Sequence, residues 1–278
     1  MPQFADYPDI SLHYKLSGNG LPSLILIHEL SGTLDSWDLL MPELEADFKI
    51  LRTDQRGAGL SEKVRAQFSV EDLVADTERL AETTGLKPPF YVAGIASGAA
   101  IAVAFAARNP QDVAALALCS PALRANPDRR DYLLARSRKA VAQGMRAVAQ
   151  TVFENSFQDD VISDRAIYDE YRARFLAIDP VCYAHANKML SEVAQEDALL
   201  TLPCPTLFLA GAQDLMRPPD YVKSLAARKP GSEAVIIDSG HIMILQAPLA
   251  VARHLRRFFL THSETREEIS SSDFPAVS

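Results

Sequence analysis

A chain of 278 residues suits one large domain, or one domain with an inserted subdomain, and buries a sizeable core without disulfides or metal. With 48% apolar and 23% charged residues it has an ordinary globular composition, and its net charge of −8 argues against nucleic acid or an anionic membrane as a main partner. Cys119, Cys182 and Cys204 are far apart and form no C-x-x-C pair, so they read as buried thiols of a reducing compartment and not as a disulfide framework or metal site.

The N-terminal text MPQFADYPDI has neither the basic nor the apolar region of a signal peptide. No apolar run approaches the ~18 residues of a membrane span, so a cytoplasmic protein is expected. ISLHYKLSG then alternates polar and apolar residues like an antiparallel edge strand. Short apolar runs follow at 23–28, 48–53, 90–94, 113–119, 205–210 and 234–238, each continuous, as in a parallel sheet covered on both faces. Longer helical segments separate them. Ser69-Val70-Glu71-Asp72 opens one helix with a capping-box-like pattern. Val70, Leu73, Val74, Thr77 and Leu80 mark its inner face, and Gly85 stops it. The helix after Gly98 is small and apolar all round, which predicts burial, and Pro110 ends it.

After Cys119 the alternation breaks, and 124–200 reads as a helical insertion. The expected class is α/β: a mostly parallel sheet with helices on both faces, 1–123 and 201–262 forming the core and 124–200 a helical cap. The polar, acidic segment 263–278 is expected to lack order.

The strand ending at Gly94 runs straight into the buried helix, and strand C-termini of such sheets hold the reactive groups. A nucleophile elbow, G-x-S-x-G, is a strained strand-to-helix turn that needs small residues two before and two after its apex. Gly94 and Gly98 meet that need around Ala96. Centring the turn on Ser97 instead puts β-branched Ile95 at a crowded flank. The spacing therefore favours Ala96 at the nucleophile position, with Ser97 offering its backbone N–H to an oxyanion. Asp214, in GAQD, and His241, in SGH, each follow a strand and complete the chain order nucleophile, acid, histidine. Ser120 occupies the rival place for an acid. The second oxyanion donor is expected at Leu30, in the loop His28-Glu29-Leu30-Ser31-Gly32. The turn DQRGAG at 54–59 reads as structural, with an ion-pair candidate of its own, and no phosphate-loop motif occurs.

HELSG at 28–32, DQRGAGLS at 54–61, GIASG at 94–98, GAQD at 211–214 and SGH at 239–241 together resemble the α/β-hydrolase superfamily over nearly the whole chain. The cap text LAIDPVCYAHANKML and the Trp37 segment are most similar to the 3-oxoadipate enol-lactonase group. The resemblance implies a serine hydrolase without metal or organic cofactor, cleaving a lactone, ester or related acyl substrate through a Ser-His-Asp triad. Ala96 stands where that family has serine, Ile95 where many members have histidine, and Glu29 replaces a common glycine.

One reading is a triad whose nucleophile has been replaced by Ala96, leaving this chain inactive or impaired. Another is a site naturally without a nucleophile, where His241 and Asp214 do acid–base chemistry as in a lyase, cyclase or cofactor-free oxygenase. A third is a ligand-binding protein without catalysis. Candidate substrate contacts are Glu29, Trp37, Arg124, Tyr183 and Arg217. The expected partner is a small molecule, and the sequence is silent on oligomeric state.

Overall fold

The structure, a computed structural model, describes residues 1–157 and 164–272. The chain begins with β1 (Gln3–Tyr7), β2 (Ile10–Ser17) and β3 (Ser23–Ile27), then a 3₁₀ turn (Leu34–Leu40) leading into the short α1 (Met41–Leu44). It continues through β4 (Lys49–Thr53), α2 (Val70–Thr83), β5 (Phe90–Ile95), α3 (Ser97–Arg108) and β6 (Val113–Cys119). Next come α4 (Pro127–Gln143), α5 (Arg146–Ser156), α6 (Arg165–Leu176), α7 (Pro180–Ser191) and α8 (Glu196–Thr201). The sheet resumes with β7 (Thr206–Gly211), α9 (Pro219–Arg228), β8 (Ser232–Ile237), α10 (Met243–Gln246) and α11 (Pro248–Ser272).

Among the described residues the strands form one sheet in the order β1-β2-β4-β3-β5-β6-β7-β8. β2 pairs antiparallel with both β1 and β4 and the remaining neighbours pair parallel, which is the mostly parallel architecture expected from the sequence. Both faces are covered. Leu24 and Leu26 of β3 join a core with Trp37, Phe48 and Phe259, while Ile25 and Ile27 join the opposite core with Leu73, Val74, Ile101 and Phe105. Successive side chains of one strand thus serve two cores, which is why β3, β5, β6 and β7 read as unbroken apolar runs.

Helix ends follow local chemistry. Ser69 and Asp72 form a reciprocal capping box on α2, Ser69 Oγ accepting from the Asp72 N–H and Asp72 Oδ2 from the Ser69 N–H. α3 is packed between the sheet and its neighbours and ends before Asn109-Pro110. Helices α4 to α8 lie between β6 and β7. Their two ends meet at a bridge between Arg124 and Ala194 and a 2.8 Å bond from the Gln195 N–H to the Leu123 carbonyl.

Three details differ from the sequence reading. β1 has no counterpart in it; the strand is short and half exposed, and joins the sheet only through β2. β8 is not covered on both faces: it closes the sheet edge, and Ala234 and Ile236 are exposed. α11 runs on to Ser272, past the core boundary read at 262. Residues 273–278 of that expected tail lie outside the described residues.

Cys119, Cys182 and Cys204 are all buried. No helix among the described residues is long and apolar enough to cross a membrane.

Candidate active site

The turn between β5 and α3 is strained at a single residue. Ala96 has φ 51° and ψ −112°, a conformation that L residues avoid, whereas Ser97 is already the first residue of α3. The flanking glycines are required by contact. A Cβ on Gly94 would stand 2.3 Å from the Gly98 carbonyl oxygen, and one on Gly98 would stand 2.3 Å from that of Ile27. Hydrogen bonds from the Ala96 N–H to Cys119 O (2.9 Å) and from the Ala122 N–H to Ala96 O (3.0 Å) pin the strained residue. The turn is therefore an elbow that presents a methyl group.

Loops after β7 and β8 bring the other two groups to the same sheet end. His241 Nδ1 lies 2.8 Å from Asp214 Oδ2, both side chains almost fully buried. Asp214 Oδ1 accepts from the N–H groups of Met216 (2.8 Å) and Arg217 (2.9 Å), so both its oxygens are engaged. Burial would raise the Asp214 pKa, but the charge and hydrogen bond of His241, with the Arg217 N–H, outweigh it and hold the carboxyl below its ordinary value. An ionised Asp214 accepts the proton of Nδ1, which leaves Nε2 as the ring's free nitrogen.

Across the cavity the loop after β3 is fixed by its own side chains. His28 Nδ1 donates to the Glu29 carbonyl (2.7 Å) while its Nε2 accepts from the Gln55 N–H (3.1 Å). Leu30 and Ser97 both line the cavity beside Ala96 and His241. As the first residue of α3, Ser97 has an N–H without an intrahelical acceptor.

The cavity is small, with about 60 Å³ of room for the centre of a water-sized group. Its floor is the sheet end, and its roof comes from α4, α5, α6 and α7 through residues such as Tyr132, Val152, Tyr171 and Leu190. A wider outer chamber shares Arg129, Tyr132, Asn155, Met216 and Arg217 with it. Three half-buried arginines, Arg129, Arg136 and Arg217, meet at this boundary, and none of the ion pairs among the described residues involves them. They rest on other groups. Arg129 sits over the Tyr132 ring (5.1 Å), Arg136 over Tyr132 and Tyr183 while donating to Asn187 Oδ1, and Arg217 donates to the Met216 carbonyl (2.7 Å). Burial first, and then the charges of Arg136 and Arg217, push the Arg129 pKa down to about 10.

The remaining expected contacts fall as follows. Glu29 lines the inner chamber, Arg217 both chambers, and Arg124 the outer one. Trp37 does not reach the cavity. It is fully buried in the core, because the 3₁₀ turn directs Leu34, Trp37 and Leu40 inward together. Tyr183 lies beneath Arg136 and lines a separate small cavity with His28 and Gly57, since α7 turns it toward the 54–59 turn. The ion pair considered within DQRGAG does not form. Asp54 instead accepts from Leu34 N, Leu60 N and His13, and Arg56 pairs with Asp76 of α2 at 2.7 Å. Arg129, Tyr132, Arg136 and Tyr171 were not singled out from the sequence. The first three share one face of α4 at spacings of three and four, a stripe that the sequence does contain.

Elbow, strand order and flanking loops define the α/β-hydrolase class, and the chain belongs to it: the model of the alpha/beta hydrolase fold family matches residues 22–248. Among curated relatives, a pyrrolizixenacetamide deacetylase of Xenorhabdus hominickii is 24% identical, covering 91% of this chain and 96% of that one. A putative carbamate hydrolase RutD of Azorhizobium caulinodans is 27% identical over 81% of this chain and 84% of its own length. Among solved structures, the enol-lactonase of Burkholderia xenovorans LB400 superposes with a TM-score of 0.87 at 26% identity, covering 93% of this chain and all of that one. A thermophilic esterase of Thermogutta terrifontis shares the fold at the same TM-score and 24% identity, covering 94% and 99%.

Proposed function

We propose that this is a hydrolase site for a lactone, ester or related acyl substrate whose nucleophile position is occupied by Ala96. The observation that carries the reading is the conjunction of an elbow strained at Ala96 with an intact His241–Asp214 pair across one cavity. With serine in place of Ala96, His241 Nε2 takes the hydroxyl proton as the oxygen attacks the acyl carbon, and Asp214 holds the resulting imidazolium. The N–H groups of Leu30 and Ser97 receive the oxyanion. Water then releases the acyl group with His241 again as base. Relatives named as deacetylase, carbamate hydrolase and enol-lactonase support acyl cleavage as the class. Arg129, Arg136 and Arg217, none of them in an ion pair among the described residues, favour a substrate with an anionic group remote from the reacting carbonyl, Arg124 and Arg217 guarding the outer chamber.

The test is Ala96→Ser, assayed on small esters and lactones. Loss of a triad serine costs on the order of 10⁶-fold in kcat, so a gain of several orders of magnitude is expected. No gain sinks the reading. A second reading, acid–base chemistry by His241 without acylation, is favoured by the buried Glu29 carboxylate in the cavity wall. There His241→Ala abolishes a reaction that Ala96→Ser leaves nearly unchanged.

A further inference from the structure

The two chambers above the elbow differ in size and in charge. The inner one, which holds Ala96 and His241, has about 60 Å³ of room for the centre of a water-sized group, and the outer one about 620 Å³ on the same measure. At ~10–15 Å³ for each water-sized occupant, the inner chamber takes on the order of five non-hydrogen atoms. The carbonyl carbon, methyl and two oxygens of an acetyl ester fill that room, and a longer acyl chain overfills it. Glu29, a buried carboxylate in the same wall, repels an acyl group that carries a negative charge. Arg136, which lines the inner chamber alone, is committed to Asn187 Oδ1 and to the rings of Tyr132 and Tyr183.

The outer chamber has the opposite character. Arg124, Arg129 and Arg217 line it, and none of them belongs to an ion pair among the described residues. Glu196, the acid among its lining residues, is already engaged: Oε1 accepts from the Tyr221 hydroxyl and Oε2 from the Arg228 guanidinium, each at 3.1 Å. Arg129 is held at the boundary by the Tyr132 ring (5.1 Å) and the Met216 sulfur (3.8 Å). His241 sets the direction of an ester, because a leaving oxygen must face Nε2 to receive its proton. Asp214 binds His241 at 2.8 Å and also the N–H groups of Met216 (2.8 Å) and Arg217 (2.9 Å), two residues of the boundary. The histidine side of the site is thus the side that opens toward the arginines.

Resting on the hydrolase reading above, we propose that the substrate is an ester of acetyl size whose alcohol carries a carboxylate, the acyl group standing in the inner chamber and the carboxylate on Arg129 and Arg217 in the outer one. With serine at position 96, its oxygen bonds to the acetyl carbon as Nε2 takes the hydroxyl proton. The bond to the alcohol oxygen breaks, and Nε2 returns that proton to it. The anionic alcohol departs through the outer chamber. Water, giving a proton to Nε2 as it attacks, then releases acetate from the serine, which recovers its proton.

The experiment uses two isomers, γ-acetoxybutyrate and monomethyl glutarate, which carry the same carboxylate-bearing chain on the alcohol side and on the acyl side of the ester. In Ala96→Ser, kcat/KM for γ-acetoxybutyrate is expected to exceed that for monomethyl glutarate by about 10-fold or more, the scale of discrimination by pocket fit. It should exceed that for γ-pentanoyloxybutyrate, with its longer acyl chain, by a similar factor. Arg129→Met in the same background narrows the advantage of γ-acetoxybutyrate over uncharged butyl acetate by about 10-fold or more, a ratio that a general loss of folded protein does not move. Calorimetry on the chain as it stands ranks the two isomers in the same order. Equal or reversed preference between the isomers, or a pentanoyl ester cleaved as well as the acetyl one, overturns the proposal. So does a preference for butyl acetate, and each of these outcomes leaves the hydrolase reading standing. Inactivity of Ala96→Ser on every ester, p-nitrophenyl acetate included, removes that reading and this proposal with it.

Discussion

His241 and Asp214 are joined by a 2.8 Å bond between Nδ1 and Oδ2, and the other Asp214 oxygen is tied to two backbone N–H groups of its own loop. The carboxylate is thereby fixed in place before it orients the ring. Asp214→Asn keeps the shape but presents an amide that favours the wrong imidazole tautomer. In the Ala96→Ser background it is expected to lower kcat by about 10⁴-fold, the scale known for this change in a serine protease. Steady-state kinetics on the ester that Ala96→Ser cleaves best checks this, and a loss below tenfold means that His241 is oriented by something else.

The same carboxylate links stability to pH, together with Asp54. Burial opposes ionisation of Asp54, but the neighbouring His28, the N–H groups of Leu34 and Leu60 and the bond to His13 hold its pKa below the usual carboxylate value. Both folded pKa values lie below their unfolded ones. Their contribution is therefore fully present above the unfolded pKa of about 4 and is lost as pH falls through the folded values. Thermal melts are expected to be flat in this respect above about pH 5 and to fall steeply below about pH 4. Asp54→Asn should destabilise at neutral pH by about 2 kcal/mol, since an amide oxygen cannot satisfy three donors. It should also flatten the acid limb. A melt of Asp54→Asn as steep as the parent below pH 4 contradicts the assignment.

At the elbow, two exchanges act in opposite directions. Gly98→Ala drives a Cβ to 2.3 Å from the Ile27 carbonyl oxygen, a backbone atom that cannot step aside, and is expected to cost more than about 3 kcal/mol. Ala96→Gly relieves a φ of 51° that costs an L residue about 1–3 kcal/mol, against about 0.5–1 kcal/mol of added chain entropy, so a net gain near 1 kcal/mol is expected. Denaturant melts of both variants check the pair. Loss of stability in Ala96→Gly means that the strain is absorbed elsewhere.

These contacts explain how much was legible beforehand. The apex at Ala96 was readable because backbone crowding demands small residues at fixed offsets, and Gly94 and Gly98 record that demand in the text. Asp214 and His241 were readable because they directly follow strands. The arginine boundary was not, because what brings Arg129, Arg136 and Arg217 together is α4 folded over the sheet end, a tertiary placement that the text does not record. Trp37 misled for the converse reason. Its place near the 28–32 loop in sequence says nothing of the 3₁₀ turn that rotates it into the core.

The last prediction concerns those arginines. None of the three guanidinium groups forms an ion pair among the described residues, and burial, then repulsion by the charges of Arg136 and Arg217, lowers the pKa of Arg129. An anionic ligand supplies the missing counter-charge. Replacing Arg129 by Met keeps much of the side-chain volume over Tyr132 and removes one of the three charges. The free protein is then expected to melt at the same temperature or higher, because a repulsive contact has gone. Binding of glutarate or adipate, measured by calorimetry on the Ala96 chain, is expected to weaken by about 1.5–3 kcal/mol, roughly 10- to 150-fold, the usual range for a charge-assisted hydrogen bond. Affinity should also fall with added salt and, for the parent chain, as pH climbs toward 10. A variant that melts lower and binds the dicarboxylates unchanged assigns Arg129 to packing and leaves the anion preference without support.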